Sequence, residues 1–207
     1  MKVHILLRWK ARVLAQSFFL LAGLLAVGYV ASVYAASFIH QVDESRDFER
    51  ALAQSPQLAP KTVAELSETD PAIKPRIGSM IGKIWIPRLG ITAIVDEGIN
   101  HKTLSLSVGH IPSTALPGQS GNIGIAGHRD TFFRSLRHIE REDMITLTTL
   151  RGEFRYRVVS IKVVGPSDLA VLESDGASEI LTLVTCYPFY YVGSAPDRFI
   201  VRAERVT

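Results

Sequence analysis

The 207-residue chain carries 23 lysines and arginines against 20 aspartates and glutamates, giving a net charge of +3 and a pI near 9.1. That length has room for one membrane segment and one ordinary domain, but two full domains would be cramped. Four of the bases, Lys2, Arg8, Lys10 and Arg12, precede residue 13 with no acid among them, leaving 19 bases against 20 acids elsewhere, so the folded part lacks the basic surface that a nucleic-acid partner requires.

From residue 13 to residue 39 there is no charge, and Leu, Ala, Val and Phe dominate. A helix of that length extends about 40 Å, enough to cross a hydrocarbon core of roughly 30 Å. The basic cluster before it and Asp43 and Glu44 after it orient the start of the chain inward and everything from His40 outward. Val33-Tyr34-Ala35 loosely fits a small-x-small cleavage pattern, but a signal-peptide core is only about 7–15 residues, so an uncleaved anchor is expected. The expected organisation is a cytoplasmic tail at 1–12, a transmembrane helix at 13–39, a stalk helix with a Pro-rich linker at 40–77, and a folded domain at 78–207. Residues 43–54 carry Phe48, Ala51 and Leu52 on one side among charges and read as a solvated stalk helix. Pro56, Pro60, Pro71 and Pro75 mark the stretch that follows as a semi-extended linker.

Beyond Gly78 the chain becomes short β-like runs punctuated by Gly and Pro, at 81–86, 91–95, 122–126, 144–147, 154–164, 179–184 and 199–203. Several alternate apolar and polar, as half-buried antiparallel strands do. Short helices fit at 101–107, 132–138 and 167–172. Seven or eight strands with minor helices predict a mostly β domain, either a closed barrel or a sandwich.

The lone cysteine, Cys186, lies in Thr182-Leu183-Val184-Thr185-Cys186-Tyr187-Pro188, at the mouth of a strand. Outside the cytoplasm an unpaired thiol is a candidate reactive group or an intermolecular link, although a cysteine taken singly is more often a small buried hydrophobe. His128, in Gly127-His128-Arg129-Asp130, also follows a strand directly. If the two strands are neighbours, both side chains share one rim and supply a nucleophile and a proton carrier, the minimum for covalent acyl transfer. His110 ranks behind His128; His4, His40, His101 and His138 are assigned to surface or structural roles. Arg198 opens the last strand and offers a guanidinium for a thiolate, an oxyanion or a substrate carbonyl, against a plain salt bridge with Asp197. The hydroxyl of Thr185 is a candidate substrate contact, against simple β-propensity. No second cysteine and no His-x-x-x-His support a metal site. Weak calcium binding in the 168–175 loop, through Asp168, Glu173 and Asp175, is the one cation site left open. Gly118 to Gly127 lacks the Lys-Ser/Thr ending of a phosphate-binding loop.

Thr182-Leu183-Val184-Thr185-Cys186 resembles the Thr-Leu-x-Thr-Cys signature of sortases, and His128, Cys186 and Arg198 stand in the order that family uses. The resemblance covers roughly 78–206. The Gly127-to-Phe133 segment and Pro188-Phe189-Tyr190-Tyr191-Val192-Gly193 are most similar to class D. It implies an eight-stranded sortase-type β-barrel and a membrane-anchored cysteine transpeptidase. Such an enzyme cuts a signal like Leu-Pro-x-Thr-Gly between Thr and Gly and passes the acyl group to an amine of a cell-wall precursor or pilin. Catalytic roles are thereby implied for Cys186 (nucleophile), His128 (acid and base) and Arg198 (substrate and oxyanion), with Thr185 assisting. The implied partners are surface proteins bearing a C-terminal sorting signal, and no cofactor is implied. A hydrolytic cysteine peptidase and a non-enzymatic anchored β-barrel module are the alternatives.

Overall fold

The computed structural model describes residues 2–54, 74–174, 176 and 178–206. The expected Pro-rich linker lies outside those residues except for Lys74 and Pro75. The chain divides into two compact units, Met1–Ile39 and His40–Thr207. A first helix, α1 (Lys2–Gln54), begins in one and ends in the other.

In the first unit the large apolar side chains, among them Phe18, Leu21, Leu25 and Val30, are exposed. A helix apolar on every side has no water-facing surface, and its length and composition qualify it to cross a membrane.

The second unit is a closed eight-stranded barrel in the order β1-β2-β3-β4-β7-β8-β6-β5. Its strands are β1 (Met80–Ile86), β2 (Ile91–Glu97), β3 (Val108–His110), β4 (Gly121–Ala126), β5 (Met144–Thr149), β6 (Gly152–Val164), β7 (Glu179–Tyr187) and β8 (Asp197–Val206). A short helix, α2 (His101–Leu106), separates β2 from β3, and single 3-10 turns occupy Arg134–His138 and Leu169–Leu172. Alternate residues point inward, so Ile84 and Ile86, Ile123 and Ile125, Ile145 and Leu147, and Leu181 and Leu183 meet in one buried core. Closure leaves no unpaired edge. Most neighbours are antiparallel, as expected, but β2–β3 and β4–β7 are parallel.

The second departure concerns the end of α1. The segment expected to be solvated instead packs on the barrel: Phe48 is 2% exposed. The Gln41 amide donates to Leu106 O and its oxygen accepts from Ile94 N, both at 2.8 Å. His40 Nε2 lies 3.1 Å from Asp96 Oδ2. The apolar side carried by Phe48 explains the docking, since burying such a ring is worth about 1.5–3 kcal/mol. On the far side of β1, Arg88 donates from Nε and Nη2 to both carboxylate oxygens of Asp143, at 2.5 and 2.6 Å, and from Nη2 to His138 O at 2.5 Å. The hydrogen bond from Arg88 holds the Asp143 carboxyl below its usual range. This fork anchors the chain that runs on from the Arg134–His138 turn.

Candidate active site

Because β4 and β7 are parallel and in register from Gly121↔Glu179 to Ala126↔Val184, both leave the barrel at the same end. Gly127 carries the ladder one step further, donating its N–H to Val184 O at 3.1 Å. Its carbonyl accepts from the Thr185 hydroxyl at 2.7 Å. The residue ahead of His128 is thus fastened to the two residues ahead of Cys186. Glycine is required there, because a Cβ would lie 2.7 Å from the ring of fully buried Phe133. The Phe133 N–H in turn donates to His128 O at 3.1 Å, closing the turn.

On its other edge β7 pairs antiparallel with β8, and Cys186 stands directly opposite Arg198. Opposed residues of such a pair share a face with Cβ atoms about 4.5–5.5 Å apart. Arg198 Nη1 donates to Ala195 O at 3.3 Å and Asp197 O at 2.9 Å. Its partner is therefore the backbone around Asp197, not the carboxylate expected of a surface salt bridge. Tyr187, Phe189 and Phe199 stack around the strand end, with centroids 5.1–6.1 Å apart.

His128, Cys186 and Arg198 line one cleft of about 320 Å³ together with Arg129, Asp130, Gly193, Ser194 and Ala195. All three candidate side chains are half-buried, open to a ligand yet held by the barrel. Among the described residues no hydrogen bond joins the Cys186 thiol to the His128 ring, and such contacts often tighten only when substrate is bound.

Thr185 has a different task from the substrate contact expected of it. It shares the inward face with Leu181 and Leu183, is 2% exposed, and commits its hydroxyl to Gly127. Strand period places it on the side opposite Cys186. Thr185→Val keeps the shape and removes the donor, leaving Gly127 O buried without its partner. That costs about 1–3 kcal/mol, which for a chain of this size lowers Tm by roughly 2–10 °C. A displaced His128 turn should lower kcat about 10-fold at unchanged KM, read by melting and steady-state kinetics.

His110 is excluded from this cleft. It is 2% exposed on β3, with Nδ1 2.6 Å from Glu97 Oε2 and Nε2 2.9 Å from Ala115 O. Of the calcium candidates, Asp175 lies outside the described residues. Among the described residues no three His, Cys, Asp or Glu side chains gather as a metal site would require. Arg129 belongs to the cleft but had no role assigned from sequence; its partners are backbone carbonyls, which leave no mark in the side-chain pattern.

The family model described as the sortase domain matches residues 84–206. Sortase D of Bacillus subtilis (strain 168) is 34% identical over 199 residues, covering 92% of this chain and 96% of that protein. Among solved structures, a Clostridium perfringens Sortase D5 transpeptidase is similar with a TM-score of 0.64 and 28% identity, over 84% of this chain and 99% of that one. Sortase C2 of Group B Streptococcus Pilus Island 1 follows at a TM-score of 0.59 and 28% identity, over 64% and 77%.

Proposed function

The chain belongs to the sortase family of cysteine transpeptidases, and we propose that Cys186 is its nucleophile, His128 its proton carrier and Arg198 its oxyanion and substrate clamp. The observation that carries this assignment is the convergence of the chain's only cysteine with His128 and Arg198 on one cleft. Cys186 Sγ, its proton taken by His128, attacks the threonyl carbonyl carbon of a Leu-Pro-x-Thr-Gly-like signal. The resulting tetrahedral oxyanion is met by the Arg198 guanidinium. Collapse breaks the Thr–Gly bond, with His128 delivering a proton to the departing amine and leaving a thioester on Cys186. An incoming amine loses its proton to His128, attacks the thioester and releases the thiol.

The substrates of this reading are surface proteins with a C-terminal sorting signal, and the acceptor is an amine of a cell-wall precursor or pilin. Residues 1–12 form a cytoplasmic tail, 13–39 a single span, and 78–207 the extracytoplasmic catalytic domain. The structure attaches residues 40–54 to that domain. The basic residues before the apolar run favour this orientation.

The test uses the full chain in detergent with a quenched fluorescent Leu-Pro-x-Thr-Gly peptide, with and without hydroxylamine as a general amine. The expected result is an acyl adduct ending in Thr on Cys186, and a hydroxamate in place of free acid once the amine is present. Free acid as the sole product at every amine concentration would identify a hydrolase instead.

A further inference from the structure

Between β7 and β8 the chain runs outside the barrel for nine residues, 188–196, and its Gly193-Ser194-Ala195 stretch forms a wall of the cleft. The tip has little to pack against: Tyr190 is 78% and Val192 95% exposed. A loop with few buried apolar contacts opens easily unless polar bonds hold it. Apart from a backbone bond from Tyr191 N–H to Pro188 O at 3.3 Å, those bonds come from guanidinium groups. Arg198 takes the C-terminal end through Ala195 O and Asp197 O. Arg129, which also lines the cleft, takes the tip, with Nη2 donating to Tyr191 O at 2.6 Å and Gly193 O at 3.0 Å. Its Cζ also lies 6.0 Å from the Tyr191 ring centroid. Arg137 stands 5.4 Å from the ring centroid of Tyr190, one residue earlier.

We infer that Arg129 is a positioning residue: it bridges the His128 turn to the β7–β8 loop and sets the width of the cleft into which the sorting signal must fit. This rests on the transpeptidase reading above for the identity of the ligand, but not for the clamp itself. Two carbonyls captured by one nitrogen fix the backbone on both sides of Val192, and only a planar guanidinium adds a ring contact in the same geometry. Among the described residues Arg129 Nη1 is buried with no hydrogen-bond partner. A buried cationic donor left unpaired is costly, and the two Nη2 bonds to the loop carbonyls help to offset that cost. Arg129 therefore serves peptide binding, while the three groups that carry the reaction remain on β4, β7 and β8 or at their ends.

Arg129→Met keeps the stem and removes the head. In the full-length protein it should raise KM for the quenched peptide about 10-fold, the effect of losing a charge-assisted contact, with kcat and the pH profile kept. Chymotrypsin should cut after Tyr190 and Tyr191 at least about 10-fold faster, because the loop opens more often. Arg129→Lys, which retains a cation but not the fork, should fall between the two in both measurements. Should Arg129→Met fail to fold by its melting profile, Arg129→Lys carries the same test. Unchanged KM together with unchanged chymotrypsin cleavage would overturn the inference, as would a lowered kcat with a shifted pH profile, which would place Arg129 on His128 instead. The cleavage measurement needs no turnover. If the wild type fails to process the peptide, the transpeptidase reading falls while the clamp is still judged.

Discussion

Cys186→Ala should bring transfer of a sorting-signal peptide down to the assay floor, a loss of at least about 10⁴-fold in kcat, as removal of a covalent nucleophile does elsewhere. No second thiol exists in the chain to replace it, and Thr185, the neighbouring hydroxyl, is turned inward and bonded to Gly127. The fold should survive, since Cys186 is only half-buried and alanine is accommodated at a strand end. A melting temperature close to wild type, with loss of the acyl adduct, is the expected pair of results. Cys186→Ser sharpens the comparison. A hydroxyl is a far weaker acid than a thiol, so the same imidazole leaves it mostly protonated, and the variant should stay below about 1% of wild type. Peptide binding should persist in both variants within a few-fold, because the cleft wall at Gly193 to Ala195 is untouched. Turnover by Cys186→Ala above the floor would sink the assignment outright.

The readable part of this site is the part that sits at strand ends. Strand formers followed by Cys186 on one run and by Gly127-His128 on another located both groups, and seven of the eight strands were countable within three residues of their limits. Alternation says which face a residue takes but not the direction of its neighbour. The parallel β4–β7 pairing that brings His128 to Cys186 was therefore only a condition, and the structure supplies it. Three-residue β3 is too short to show a period. Phe48 advertised an apolar side on its helix, yet whether a partner covers such a side depends on where distant strands lie. Thr185 and Arg129 were obscured for another reason: both act on backbone carbonyls, 58 and 62 to 64 residues away, and a carbonyl has no residue type.

Arg198→Ala should lower kcat about 10²–10³-fold, the range found when a single oxyanion donor is lost. The in-register opposition of Cys186 and Arg198 puts both side chains on the same face and both line the cleft, where charge develops as the thiol adds to a carbonyl. A group that acts on that charge stabilises the transition state more than bound peptide, so kcat and kcat/KM should fall together with KM little changed. The competing reading is mechanical, because Arg198 also holds Ala195 and Asp197 by their carbonyls. Loss of that tether alone would loosen the loop and raise KM, as expected for Arg129→Met. Arg198→Lys separates the two. A lysine ammonium is a point charge that is able to serve the loop carbonyls or the oxyanion but lacks the fork to serve both. It should restore the resistance of the loop to chymotrypsin while leaving kcat at least about 10-fold low, because the planar donor pair is missing. A lysine variant with full kcat would reduce Arg198 to a loop tether and a source of positive charge, and the oxyanion would then need another donor at the cleft.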